Sequence, residues 1–110
     1  MTFEEARTLI EYEVSEGVAY TSRFGEYPER ARVEQILEAL RTIHRELRGQ
    51  TVIDRQLASM LFALNDQVQG NMNGAIAKGI PVPEEFSTVS FFEIADLLYA
   101  IFEDWENTGK

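Results

Sequence analysis

Apolar residues recur along this chain at the three- and four-residue spacing of amphipathic helices rather than the alternating spacing of strands. Runs of this kind are separated by glycine, proline and capping residues. The pattern predicts four helices, over residues 3–24, 28–48, 52–78 and 91–106. Their expected apolar faces are Phe3, Ala6, Ile10, Val14, Gly17, Thr21 and Phe24, then Val33, Ile36, Leu37, Leu40, Ile43, His44 and Leu47, then Ile53, Leu57, Met60, Leu61, Leu64 and Val68.

Residues that start and stop helices stand at the ends of these runs. Three segments have the form of a capping box, in which two side chains satisfy free backbone N–H groups: Thr2–Glu5, Thr51–Asp54 and Ser90–Glu93. Pro28 suits a first helical turn. Four glycines occupy the position after a helix end, where a left-handed backbone is common: Gly25, Gly49, Gly79 and Gly109.

Two glycine-containing stretches inside the predicted helices need a separate explanation. Gly17 lies on the apolar face of the first helix, and we interpret it as a small residue that admits a neighbouring helix. The segment 70–74 (GNMNG) has low helix propensity, because glycine costs up to about 1 kcal/mol relative to alanine. A kink, a frayed end or a close contact is expected there.

The fourth predicted helix is unusually apolar. Its apolar side chains cover an arc of about 220°, against the roughly 100° that a surface helix needs. The polar strip consists of Glu93, Asp96, Glu103 and Asp104. Such a helix is either central to its own fold or shared with another chain.

These elements predict one all-α domain over residues 1–110. A chain of 110 residues is of single-domain length. The expected architecture is a four-helix bundle, mostly antiparallel because two of the three connections are short.

The net charge of −9 narrows the classes of partner. Nucleic acids and anionic membranes attract cationic surfaces, so neither is an expected partner, whereas a basic protein is. No apolar run reaches the length of a membrane span, and the first residues lack the pattern of a signal peptide. A cytoplasmic location is therefore expected.

The sequence contains no pattern that indicates catalysis or cofactor binding. It has no cysteine and a single histidine, His44, which falls on an apolar helical face and is expected to be a core residue. Metal sites in bundles need several such ligands, and phosphate-binding glycine loops are absent. We expect no metal, no cofactor and no enzymatic activity.

Arginines form one edge of the second helix, at Arg30, Arg41, Arg45 and Arg48. The expectation is that these side chains pair internally, with Arg41 or Arg45 contacting carboxylates of the first or fourth helix.

The favoured function is a small acidic protein-interaction module, of the inhibitor or immunity type, that binds a basic protein and forms a homodimer. The partner is expected on the acidic strip, Glu93, Asp96, Glu103 and Asp104. Self-association is expected to use Phe62, Phe92, Leu97, Tyr99, Ile101 and Trp105. The alternative is a ligand-binding bundle with an aromatic pocket lined by Met60, Phe91, Phe92, Tyr99 and Phe102.

Overall fold

A computed structural model describes residues 1–17, 29–79 and 88–103, and the side chains of all these except 71–72, 75–76 and 88–92. This part of the chain forms four helices and no strands, so the predicted all-α four-helix bundle is confirmed. The helices are α1 (Phe3–Ser15), α2 (Arg30–Leu47), α3 (Arg55–Ala77) and α4 (Thr88–Glu103).

The four helices pack in a ring. Helix α1 packs against α2 and α3, and α4 packs against the same two helices from the other side. Within the described residues, α1 and α4 are not neighbours, and neither are α2 and α3. Helix α4 is therefore a corner of the bundle rather than its centre. That the helices run mostly antiparallel remains a prediction.

The core lies where the four apolar faces meet. Among the described residues, the faces predicted for the first three helices are confirmed, although Phe3, Val14, Leu47, Ile53 and Met60 are only partly buried at the margin of the core. Thr21 and Phe24 lie outside the described residues. Helix α4 adds Ile94, Leu98 and Ile101. The buried apolar core consists of Ala6, Ile10, Val33, Ile36, Leu37, Ala39, Leu40, Ile43, Leu57, Leu61, Leu64, Val68, Ile94, Leu98 and Ile101.

Helix α1 begins as the sequence predicts and ends earlier. The Thr2 hydroxyl accepts a hydrogen bond from the backbone N–H of Glu5 at 3.1 Å, and the Glu5 carboxylate accepts one from the Thr2 N–H at 2.7 Å. The helix ends at Ser15, so its predicted continuation through Glu16 and Gly17 is wrong, and the rest of the predicted extension, residues 18–24, lies outside the described residues. Gly17 is buried just beyond this end, and an added Cβ there would meet the side chain and backbone of Glu13. The close neighbour of Gly17 is thus its own preceding turn.

The other helix boundaries follow the sequence only in part. The cap of α3 is Asp54 rather than Thr51, because its carboxylate accepts the backbone N–H of Leu57 at 2.9 Å. Helix α4 begins at Thr88, so Ser90 lies inside it and is not its N-cap. Gly49 and Gly79 have φ values of 81° and 84°, which confirms the two left-handed turns predicted there. Pro28, Gly25 and Gly109 lie outside the described residues.

The glycine-containing segment of α3 remains helical. Helix α3 continues through Gly70 and Gly74 to Ala77, so the expected frayed end at 70–74 is wrong. A Cβ added at either glycine would meet no atom of the described residues within 4 Å, so the expected close contact is not found in this part of the chain. Low local propensity is therefore overridden, because the helix is held by packing of Leu57, Leu61, Leu64 and Val68 in the core.

Two carboxylates at helix N-termini make stability depend on acidity. A hydrogen bond from Arg7 and another from the Leu57 N–H lower the pKa of Asp54, and the Thr2 backbone N–H lowers the pKa of Glu5. Because the unfolded chain binds these protons more readily, their stabilising contribution is present at neutral pH and is lost as the pH falls below about 4.5.

We expect Asp54→Asn to reduce the loss of stability between pH 7 and pH 3, measured by urea unfolding at both values. Glu4→Gln is the control, since Glu4 is exposed in the first turn of α1. An equal acid dependence in the two variants would contradict this prediction.

Candidate functional site: a groove between two helices

A groove of about 270 Å³ lies between α3 and α4. The residues that helix α3 contributes lie within one helical turn of one another. The residues that helix α4 contributes recur every three or four positions and therefore share one face of that helix. The groove is lined by Leu61, Phe62, Asn65, Ala95, Leu98, Tyr99, Phe102 and Glu103.

Three aromatic residues around this groove keep about half or more of their surface in solvent. Phe62 keeps 69% of its surface in solvent, Tyr99 58% and Phe102 48%. Leu61 and Leu98, in contrast, are buried and belong to the core. The groove therefore has a fixed aliphatic base with aromatic side chains at its surface. Contiguous apolar surface of this kind is typical of interaction sites.

Asn65 supplies a polar group to the same groove. Its carboxamide oxygen Oδ1 is buried and has no hydrogen-bond partner within the described part of the chain. A buried unsatisfied polar atom costs about 1–3 kcal/mol.

The two helices that form the groove are almost devoid of positive charge. Helix α4 carries three acidic residues and no basic one. Helix α3 has one acid, Asp66, and one base, Arg55, which stands at its first residue. Glu103 lines the groove itself, and Asp66 and Asp96 are exposed. The electrostatic environment is therefore anionic.

The structure separates the residues predicted for self-association into different environments. Phe62 and Tyr99 lie at the groove, whereas Leu97 is half-buried against the core. Ile101 is only 8% exposed and belongs to the core, so it offers little surface to a second copy. The Phe92 side chain and Trp105 lie outside the described residues.

Periodicity alone did not divide the broad apolar arc of α4 into a buried and an exposed part. Phe102 was predicted only as a pocket residue, and Leu61 was predicted only as core. Asn65 was missed, and the available signal was that it is one of the few polar residues in the first three turns of α3.

The acidic strip is located more simply. Glu93 and Asp96 are exposed on α4, and Glu103 is exposed at the groove. Asp104 lies outside the described residues. Asp96 and Glu103 are two turns apart, so they fall on the same side of the helix.

His44 is buried, as its place on the apolar face of α2 predicts. Its Nε2 atom has no hydrogen-bond partner among the described residues. No group of three or more histidine, cysteine, aspartate or glutamate side chains suited to a metal ion occurs in residues 1–17, 29–79 and 88–103. That the protein binds no metal remains a prediction.

The arginines that link helices differ from those predicted. Arg32 of α2 pairs with Glu13 of α1 at 2.9 Å, and Arg7 of α1 pairs with Asp54 before α3 at 2.7 Å. Within the described residues, neither Arg41 nor Arg45 forms an ion pair with α1 or α4, and Arg45 instead donates to Thr42 Oγ1 at 3.3 Å. Neither Arg7 nor Arg32 belongs to the predicted arginine edge of α2.

Arg30 makes only a long contact of 3.9 Å to Glu34, one turn away on the same helix. Both side chains are well exposed, so this pair contributes little to stability.

No helix in the described part of the chain is long and apolar enough to cross a membrane. The chain matches no known protein family, no curated protein sequence and no solved protein structure. Its function is therefore inferred from the groove and from the charges around it.

Proposed function

We propose that this protein is an acidic protein-interaction module whose docking face is the groove between α3 and α4. The observation that carries the proposal is the exposure of Phe62, Tyr99 and Phe102 around one groove. A cytoplasmic location belongs to the same proposal.

Burial of these aromatic side chains would supply the driving force for docking. Full burial of one phenylalanine side chain stabilises by roughly 1.5–3 kcal/mol, and much of that gain is unused in the free protein. Aromatic residues in well-packed pockets are also the usual energetic centres of protein interfaces. Because the buried base of the groove is part of the core, docking needs no rearrangement of the fold.

A small apolar ligand is the second candidate occupant. Tyr99 and Phe102 are both in the pocket predicted from the sequence, and the groove volume of about 270 Å³ admits a small molecule. Ligand sites usually range from about 300 to 1,000 Å³ and enclose most of the ligand. Met60 packs against the core and does not line this groove. Exposed aromatic residues on a small groove fit a protein partner better.

Self-association through this face is the other competitor. Two copies that met through α4 would bring like charges together, because that helix carries three acids and no base. A homodimer is therefore expected to be weak at low salt and to tighten as salt screens the repulsion.

Replacement of Phe62 by a photo-crosslinking phenylalanine analogue tests the docking face in cells. We expect a protein partner to be captured from position 62 and not from Thr8, which is exposed on α1. The captured partner is then purified, and we expect Phe62→Ser to weaken its binding at least about tenfold.

Phe62→Ser should leave the free energy of unfolding nearly unchanged, because this side chain is 69% exposed. Equal capture from positions 8 and 62, or undiminished binding by the folded Phe62→Ser variant, would refute the proposed docking face.

A further inference from the structure

We infer that the partner presents a cationic amphipathic helix, with its apolar face in the α3–α4 groove and its basic residues against the acids beside it. This inference rests on the proposed docking face and adds the chemistry of the occupant.

Charge complementarity is the first argument. In the two helices that form the groove, four acids are accompanied by one base, Arg55. Arg55 and Phe62 are seven positions apart on α3, which corresponds to about 10 Å along the helix axis. Lysine or arginine side chains on a partner would meet no cation on α4 and only Arg55 on α3.

The acids are placed where the edges of a docked helix would lie. Asp66 is one turn beyond Phe62 on α3, and Glu103 is one turn beyond Tyr99 on α4. Asp96 lies two turns before Glu103 and on the same side of α4. The aromatic residues are therefore flanked by carboxylates on both helices. Long cationic side chains can cover an apolar surface with their methylene groups while the charged ends reach such carboxylates.

The position of the groove between two packed helices favours a helical occupant. Two packed helices leave a linear depression between them, and an amphipathic helix fills such a groove with side chains at i, i+3, i+4 and i+7.

The same charges disfavour a second copy as occupant. The complete chain has a net charge of −9, and each copy would present the acids of α4 to the other. A cationic partner gains from these charges, whereas a second copy is repelled by them.

Three synthetic helices of about 18 residues provide the probe. The first has leucines at i, i+3, i+4 and i+7 and lysines elsewhere. The second has glutamates in place of the lysines, and the third has the leucines and lysines of the first redistributed around the helix. Each carries a fluorophore for anisotropy titration, and the crosslinker at position 62 of the protein reports occupancy of the groove.

We expect the cationic amphipathic peptide to bind at least about tenfold more tightly than either sibling at low salt, and to crosslink from position 62. Two double variants test the placement of charge. Asp96→Asn/Glu103→Gln should weaken binding by about three- to tenfold, whereas Glu4→Gln/Glu11→Gln on α1 should change it less than about twofold. Each pair removes two exposed carboxylates, so the change in net charge is the same.

The inference would be overturned if the cationic and glutamate peptides bound with equal affinity and both crosslinked from position 62. The docking face would remain intact in that case. Equal weakening by the two double variants would also overturn it, because the attraction would then come from net charge alone. Absence of crosslinking from position 62 to any peptide would contradict the docking face itself. Crosslinking between two copies that the cationic peptide fails to displace would assign the groove to a second copy.

Discussion

Replacement of Arg32 by methionine is expected to lower the free energy of unfolding by about 2–4 kcal/mol. The Glu13 side chain of α1 is buried, and its Oε2 accepts a hydrogen bond from Arg32 Nε at 2.9 Å. Loss of one partner from a buried ion pair costs about 3–5 kcal/mol, and the lower range applies because Arg32 is partly exposed. Methionine keeps most of the apolar stem, so the loss comes mainly from the charge. Urea unfolding at pH 7 measures it.

The electrostatics around Arg32 agree with this expectation. Burial lowers the pKa of Arg32, but the charge of Glu13 and its hydrogen bond outweigh that effect, so the pKa is raised. The guanidinium also lies 5.6 Å from the centre of the Tyr12 ring, within the range of a cation–π contact.

A double-mutant cycle with Glu13→Gln separates the ion pair from general damage to the helix. If the pair stabilises the contact between α1 and α2, the combined variant should lose less stability than the sum of the single variants, by about 1–3 kcal/mol. Additive losses would contradict the ion-pair explanation.

Gly17→Ala provides an independent check on the surroundings of Glu13. The added methyl group would collide with Glu13, so this substitution is expected to lower the free energy of unfolding by about 1–3 kcal/mol.

Ile101→Ala is expected to lower the free energy of unfolding by about 2–4 kcal/mol, although the nearby residues Tyr99 and Phe102 of α4 are exposed at the groove. Its side chain is 8% exposed and packs in the core. Truncation of a buried isoleucine side chain to alanine costs about 2–5 kcal/mol of stability, because it leaves a cavity in the core. Thermal or urea unfolding measures the loss.

Tyr99→Ala is the matched control for Ile101→Ala, since Tyr99 is 58% exposed at the groove on the same helix. We expect this substitution to cost less than about 1 kcal/mol in stability and to weaken binding of the cationic peptide. Similar losses of stability in the two variants would contradict the division of α4 into a core face and a docking face. Loss of stability for Tyr99→Ala alone would reverse the assignment of these two residues.

Where apolar residues were regularly spaced, the sequence most accurately predicted that a segment is helical and which of its residues are buried. On α2 the residues Val33, Ile36, Leu37, Leu40 and Ile43 are all buried as expected. Boundaries were less accurate, because capping depends on which side chain reaches a free N–H. Asp54 performs this role for α3, and Thr51 does not.

The groove was only partly predictable, for a geometric reason. Phe62 was identified because it falls away from the main apolar face of its helix, and its exposure depends little on the neighbours of α3. Tyr99, Ile101 and Phe102 all belong to one wide apolar arc, so their separate roles depend on where α2 and α3 approach α4. The positions at which α2 and α3 contact α4 depend on how segments distant in the sequence pack together. The apolar periodicity of one helix carries no information about that packing.

The sequence by itself determined that this chain forms acidic amphipathic helices with one dominant core, because spacing, capping and charge are local properties. Tertiary structure decided which helices are neighbours, and thereby which apolar side chains remain outside the core. It also decided that Glu13 pairs with Arg32, nineteen positions along the chain. Ion pairs between helices require side chains to meet in space, so the arginine edge predicted on α2 gave no guide to Arg7 and Arg32. The groove exists because α4 occupies a corner of the ring, where two neighbouring helices cover only part of its apolar arc.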